Sequence, residues 1–238
     1  ALPILTGLCT RRGLLEKVNL PQTRPSVLVL IGLDRFRSIN DTVGFSTGDV
    51  LLQTIALRLQ HHIDRDALLA RVGGDEFAAI LFRVGEPENV SAAAEKMIAA
   101  IAVPFPTRPI PSHVGLTIGM TVMPDDSDDP ETLIRWSDMA MYEAKSQGKN
   151  RAQFFSDEIN RKIRASLHVE AELRDALTGD NEGLYVAYQP QVCAQSRKII
   201  GFEALTRWTL PDGKSVSPAE FIPVAEKSGL IVDLGTWL

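Results

Sequence analysis

The sequence predicts an α/β protein whose first and larger part has a central, mainly antiparallel sheet flanked by helices. Three observations predict it. Short runs rich in Val, Ile and Leu (26–33, 67–72, 76–82 and 114–122) alternate with stretches of helical periodicity. Two of those runs are separated by little more than Gly73 and Gly74, which makes them the arms of an antiparallel hairpin. The chain has 238 residues, 45% of them hydrophobic and 23% charged, enough for one or two domains with a sizeable core.

Taken in order, 26–33 follows Pro25 and is too short for a helix, so it is a buried strand. Residues 48–63 carry Leu51, Leu52, Ile55 and Leu59 at helical spacing. The strands 67–72 and 76–82 meet at Gly73-Gly74, a pair able to supply the positive φ of a tight turn. Residues 91–102 are alanine-rich and helical, and 114–122 is a strand. The acidic stretch from Pro124 to Pro130 lacks the glycine and closing glutamate of a calcium loop. Instead Asp129 caps a helix that starts at Pro130, buries Leu133, Met139, Ala140 and Ala144, and ends at Gly148. A short strand at 152–155 precedes a polar connector helix with Ile159, Ile163, Leu167, Leu173 and Leu177 on one side. Beyond the turn Gly179-Asp180-Asn181 come strands 184–190 and 199–208, a turn at Pro211-Asp212-Gly213 and a helix 218–227.

Composition excludes several classes. A net charge of -5 argues against nonspecific nucleic-acid or anionic-membrane binding. Cys9 and Cys193 lie far apart and the four histidines form no ligand pattern, which excludes a disulfide scaffold or a zinc site. No apolar run approaches the roughly 18 residues of a membrane span, and no signal peptide opens the chain. The segment is expected to be cytoplasmic and, opening on Ala1 inside a motif, to be a piece of a longer parent that an anchor elsewhere could tether to a membrane.

The chemistry is concentrated in Arg71-Val-Gly-Gly-Asp-Glu-Phe77, where two carboxylates follow a glycine turn. Backbone without Cβ admits a phosphate closely, and a carboxylate beside it can hold a divalent metal against that phosphate. A plain hairpin with solvated charges is the other reading of these residues alone. The flanking sequence decides between them. Leu5-Thr-Gly-Leu8 with Arg11, the segment from Leu33 to Gly44 with Gly48-Asp49, Thr117-Ile-Gly119, and Ala140 to Asn150 occur in order around the glycine turn. Together the five motifs resemble the GGDEF family of diguanylate cyclases over residues 5–155.

That resemblance implies a nucleotidyl-cyclase-like fold, two GTP molecules condensed to cyclic di-GMP by a head-to-head homodimer, and Mg2+ or Mn2+ as cofactor. It assigns Asn40 and Asp49 to the guanine edge, whose N1–H and amino donors beside the O6 acceptor suit a carboxylate and an amide. Gly73, Gly74, Lys145 and Lys149 are assigned to the phosphates, the two lysines being four apart and so on one helix face. Arg37 stands where the family usually has a lysine that stabilises the transferring phosphoryl group. Asp75 is implied as metal ligand and as assistant in deprotonating the attacking hydroxyl, with the backbone carbonyl of Leu33 as a second metal donor. Glu76 is read as structural.

Several positions depart from the pattern. The usual metal-binding aspartate two residues before Asp34 is Gly32 here. Pro3, Thr10 and Phe45 replace the usual aspartate, asparagine and histidine. The product-inhibition motif would need Arg at Asp64 and Asp at Ala67, so feedback binding there is not expected. Loss of one carboxylate predicts an impaired metal site, and Gly32→Asp is expected to restore turnover.

Stretches 184–190, 201–208 and 217–226 resemble the start of an EAL-type cyclic di-GMP phosphodiesterase. The resemblance assigns Glu203 to a metal, and Arg207 and Gln189 to cyclic di-GMP. It implies an incomplete barrel, since the family barrel takes about 250 residues. The expected organisation is a GGDEF domain over 1–156, a connector helix over 157–180 and an EAL fragment over 181–238. Three functions stand at this point: a GTP-binding regulatory domain with weak or lost cyclase activity in a GGDEF-EAL parent, a working diguanylate cyclase, and a dimerisation module without nucleotide.

Overall fold

The computed structural model describes residues 5–18, 25–82, 87–106, 113–179 and 183–238. Its elements run β1 (Cys9–Thr10), α1 (Arg11–Val18), β2 (Ser26–Asp34), α2 (Phe36–Val43), α3 (Phe45–His62), β3 (Leu68–Arg71), β4 (Glu76–Leu81), α4 (Pro87–Ala102), β5 (Gly115–Met123), α5 (Pro130–Ser146), β6 (Ala152–Phe154), α6 (Asp157–Thr178), β7 (Leu184–Val192), β8 (Ile199–Thr209), β9 (Ser215–Val216), α7 (Pro218–Ser228) and α8 (Ile231–Trp237). The chain divides into two compact units, Ala1–Asn160 and Arg161–Leu238.

In the first unit six strands form one sheet in the order β1-β3-β4-β2-β5-β6. β2 is central and buried at every position, because Val, Leu and Ile on both its faces meet helices on both sides. It pairs antiparallel with β4 and β5, whereas the short edge strands β1 and β6 pair parallel. The sheet is thus mainly antiparallel, as expected. On one face Val27, Val29, Ile31, Phe77 and Ala79 pack on Leu51, Leu52, Ile55 and Leu59 of α3 and Met97 and Ile101 of α4. On the other, Leu28, Leu30, Ala78 and Ile80 meet Leu14 of α1 and Leu133 and Met141 of α5.

α5 starts as its sequence predicts, with the Asp129 carboxylate accepting the Thr132 N–H at 2.8 Å and Pro130 in the first turn. It seats on β5 closely. Gly119 makes this possible, since a Cβ there would collide with the Ser137 carbonyl oxygen and lie 2.5 Å from the Met141 nitrogen. The Thr121 and Ser137 hydroxyls, both buried, pair at 2.9 Å across the same contact. Met141, not Met139, is the buried methionine, because 137, 140, 141 and 144 form the face toward the sheet.

The glycine hairpin forms, but not by positive φ. Neither Gly73 nor Gly74 is in the left-handed region. The turn is closed instead by the Val72 and Gly73 N–H groups donating to the Glu76 carbonyl at 3.0 and 3.2 Å. A Cβ on Gly73 would fall 2.8 Å from a Glu76 carboxylate oxygen, so the missing side chain makes room for that acid.

The second unit is a three-stranded antiparallel sheet, β7-β8-β9, with α7 and α8. Its core joins Val169, Leu173 and Ala176 of α6 to Leu184, Trp208, Phe221, Ala225 and Leu234, with Trp208 edge-on to Phe221 at 5.6 Å. Val169 takes the place expected of Leu167, which is exposed. These three strands are antiparallel throughout, and the barrel remains an expectation of the resemblance alone. Pro3, and Asp180 and Asn181 of the expected turn, lie outside the described residues.

The far end of the β7-β8 hairpin is bare, with Tyr188 68%, Ile200 70% and Phe202 62% exposed. Limited proteolysis is therefore expected to cut first between about residues 189 and 203, leaving 26–82 whole. Equal protection of both stretches in a mass-resolved time course would show that another surface covers the hairpin.

Candidate nucleotide-binding site

The end of β2 organises the site. Asp34 is buried, both its oxygens accept from the Thr117 hydroxyl at 2.9 and 2.8 Å, and one accepts the Asn150 N–H at 3.1 Å. Asn150 in turn takes the Leu116 N–H on its side-chain oxygen at 3.3 Å. One carboxylate thus ties β2 to β5 and to the loop after α5. Two residues earlier Gly32 lies between Glu76 of β4 and Thr117 of β5 in the sheet register. Its sheet neighbour is therefore Glu76 rather than Asp75. Asp75 sits in the turn beyond, where its carbonyl accepts the Leu33 N–H at 3.1 Å. The amide and carbonyl of one strand residue point to the same neighbour, so the Leu33 carbonyl also faces this turn.

Asn40 of α2 and Asp49 of α3 lie on either side of the corner between the two helices. Gly44 turns the chain there with φ 85°, and the Gly48 N–H donates back to its carbonyl at 3.0 Å. Asn40 packs its side-chain oxygen against Gly48 so closely that a Cβ at 48 would collide with it. That oxygen is buried and has no hydrogen-bond partner. Asp49, next in sequence, is exposed. The corner therefore holds one unused acceptor packed on Gly48 and the carboxylate of the residue that follows Gly48.

Arg71 links this corner to the hairpin. Its guanidinium donates to the Gly74 carbonyl at 2.6 Å. Burial pulls it below its ordinary range, while the negative charges of Asp49 and Asp75 push it back. The sequence reading included Arg71 in the motif and gave it no role. Its position two residues before a glycine turn, at the end of an apolar strand, was the available signal.

Glu76 is half-buried, and its carboxyl is pushed up first by burial, then by the charge of Asp138, with a smaller push from Asp75; Lys145 opposes the rise. It borders a cleft of about 390 Å³ also lined by Arg11, Glu131, Arg135 and Asp138. A carboxyl raised on folding stabilises the fold below the ordinary glutamate range and loses that contribution as pH rises through its folded value. Glu76→Gln is therefore expected to melt higher than wild type near pH 7 and to match it near pH 4. Parallel melts across that range check this, and an unchanged difference at both ends would remove Glu76 as its source.

Lys145 lies in the last turn of α5, half-buried, with its ammonium over Gly32. A Cβ on Gly32 would be 3.0 Å from Nζ and 2.9 Å from the Met141 sulfur. Lys149 is not on the helix. Gly148, at φ 119°, ends α5 with its N–H directed to the Lys145 carbonyl and the Lys149 N–H to that of Ala144. Lys149 itself is exposed at φ 62°, so the two lysines do not share a helix face. Arg37 and Gly74 are exposed, and Gly73 is half-buried in the hairpin turn.

These residues do not fit the two-metal arrangement that the resemblance implies. Position 32 has no side chain, and Asp34 has both oxygens engaged within the fold. Among the described residues no group of three or more His, Cys, Asp and Glu side chains could hold a metal ion.

In the second unit Gln189 and Glu203 are cross-strand partners. Arg207 stands on the same face of β8, two positions of alternation from Glu203. Gln189 and Glu203 are exposed, and the Arg207 guanidinium donates to the Thr206 carbonyl at 2.9 Å.

Comparison with known proteins gives this geometry its family. A sequence model described as the diguanylate cyclase GGDEF domain matches residues 4–151. The chain belongs to the GGDEF family. A model of the EAL domain matches residues 170–238, which places the chain with the GGDEF-EAL proteins of cyclic di-GMP signalling. The bifunctional diguanylate cyclase/cyclic di-GMP phosphodiesterase MucR of Pseudomonas aeruginosa is 35% identical over 215 residues, covering 90% of this chain and 31% of MucR. The cyclic di-GMP phosphodiesterase PdeR of Escherichia coli is 32% identical over 238 residues, covering 98% of this chain and 35% of PdeR. The chain thus spans about a third of the length of these relatives. The solved GGDEF domain of TpbB (YfiN) from Pseudomonas aeruginosa is similar over 67% of this chain and 97% of its own, at a TM-score of 0.64 and 29% identity. GGDEF and EAL domains generally use divalent metals, and no helix of the described residues is long and apolar enough to cross a membrane.

Proposed function

We propose that the first unit of this GGDEF-family chain binds GTP as a regulatory, cyclase-like domain with weak or lost cyclase activity, within a longer GGDEF-EAL protein. One contrast carries the reading: the guanine-reading corner is complete while the floor beside the phosphates lacks its carboxylate. Guanine's N1–H and amino group would donate to Asp49, and the Asn40 amide would meet the O6 side of the same edge. Gly73 and Gly74 would let the phosphates approach the hairpin, with Lys145, Lys149 and Arg37 supplying positive charge. Asp75 and the Leu33 carbonyl, which the resemblance assigns to an Mg2+ or Mn2+ ion and Asp75 also to the 3′-hydroxyl, are too few for the two-metal arrangement, which is why cyclase activity is read as weak or lost. In the second unit Glu203 would be the metal ligand, and Gln189 and Arg207 would contact cyclic di-GMP in the completed domain. Condensation of two GTP molecules would require a homodimer through the GGDEF unit.

The deciding experiment incubates the chain with GTP and magnesium and measures binding and cyclic di-GMP formation together. Binding without product supports the regulatory reading. Binding with fast product formation makes it a cyclase, and absence of both makes it an interaction module.

Base selectivity checks the corner. Adenine has no N1–H for Asp49 to accept, and leaving a desolvated carboxylate unpaired costs about 1–3 kcal/mol. GTP should therefore bind roughly tenfold or more tighter than ATP, and Asp49→Ala should erase the difference. Equal calorimetric affinities in the wild type would remove Asn40 and Asp49 from base reading.

A further inference from the structure

We infer that the Lys145 ammonium, rather than a divalent ion, neutralises the nucleotide's phosphates at this site, so that GTP binding is independent of magnesium. The inference rests on the nucleotide-binding reading above.

The floor of the site is the row Glu76, Gly32, Thr117 across β4, β2 and β5. Gly32 leaves backbone bare at its centre, and the end of the Lys145 side chain fills that gap. Measured from an added Cβ, Nζ lies at 3.0 Å and Cε at 3.2 Å. The ammonium therefore occupies the ground from which a carboxylate at position 32 would reach a metal. The next acid along the strand cannot take over. Turning Asp34 toward a metal would leave the buried Thr117 hydroxyl without its acceptor and take from the Asn150 N–H one of its two.

Charge points the same way. A dication set over Gly32 would meet a positive charge at contact distance with one carboxylate fewer to offset it. Among the described residues, no cluster of three acidic, histidine or cysteine side chains is available to hold the dication. A lysine ammonium, by contrast, is a compact charge with three donors, suited to phosphate oxygens without coordination geometry. Its placement is firm, because α5 is seated on β5 through Gly119 and buries Met141 beside it.

The test is calorimetric titration of the full chain with GTP in excess magnesium and in excess EDTA. Mn2+ alone is titrated in parallel and followed by electron paramagnetic resonance. The wild type should bind GTP with affinities within about threefold in the two buffers and leave Mn2+ free. Lys145→Gln should weaken GTP binding roughly tenfold or more in EDTA. Gly32→Asp should bind Mn2+ without nucleotide and should bind GTP at least roughly tenfold better with magnesium than without. Gly32→Ala, which adds the Cβ but no charge, shifts the Lys145 end and should still leave Mn2+ free and bind GTP equally in the two buffers. Both variants meet only the flexible ends of Met141 and Lys145 and should fold. GTP binding by the wild type that weakens tenfold in EDTA, or stoichiometric Mn2+ binding by it, overturns this inference and leaves the nucleotide site standing. No GTP binding in either buffer overturns both.

Discussion

Gly119→Ala is expected to destabilise the first unit by about 3 kcal/mol, at the upper end of what an overpacked contact costs. The added methyl would collide with the Ser137 carbonyl oxygen and sit 2.5 Å from the Met141 nitrogen and 2.9 Å from its Cβ. All three are parts of α5 that no side-chain rotation can move. The helix would have to lift from β5, stretching the Thr121–Ser137 hydroxyl pair and opening the packing of Leu133, Ala140 and Met141. Urea denaturation followed by far-ultraviolet circular dichroism measures the loss. A variant within about 0.5 kcal/mol of wild type, the usual range of a neutral surface substitution, would mean that α5 is not seated this closely. Lys145 rides on the same helix, so GTP affinity should fall as well, even at temperatures where the variant is fully folded.

Gly48→Ala should have the opposite profile. Alanine is favoured over glycine by about 1 kcal/mol inside a helix, and position 48 lies in the first turns of α3. Its methyl, however, would occupy the place of the Asn40 side-chain oxygen. Asn40 must then rotate out of the corner, and the amide assigned to the guanine edge is displaced. The expected result is a melting temperature near or above wild type with GTP affinity lowered roughly tenfold to a hundredfold, the equivalent of about 1.4–3 kcal/mol. Calorimetry on the folded variant reads this directly. Retained affinity would show that Asn40 acts in the fold and not on the base.

The sheet strands, α3, α5 and the Asp129 cap were legible because each rests on a local pattern: a continuous apolar run, a helical repeat, or an Asp-Pro start. α2 was not. Its eight residues bury only Phe36, with Ile39 packed against the core one turn on, too short a repeat to stand out from the sequence. The parallel pairings of β1 and β6 were hidden for a different reason, since strands of two and three residues carry no readable period. Asn40, Asp49 and Lys145 were singled out from motif order alone. What motif order could not convey was three-dimensional occupancy. That Lys145 fills the gap above Gly32, that Gly48 makes way for Asn40, and that Asp34 is consumed by Thr117 and Asn150 are all contacts between residues distant in sequence or set by a turn. Placing Lys149 with Lys145 failed at Gly148, whose positive φ throws the chain off the helix axis within one residue.

The two positions at the end of β2 differ in what their loss would do to the folded protein. Exchange of Asp34 strands the buried Thr117 hydroxyl and loosens the tie to the Asn150 amide, the kind of change that lowers the amount of folded chain in a cell. Exchange at position 32 strands nothing, because the space is taken up by flexible side-chain ends from α5. A single substitution can therefore silence chemistry at one position while leaving fold, abundance and nucleotide corner intact, and the neighbouring acid is shielded from the same drift by its structural bonds. Inheritance acting on such a strand would tend to separate the two roles, shedding the reaction first and keeping the scaffold that reports whether a nucleotide is present.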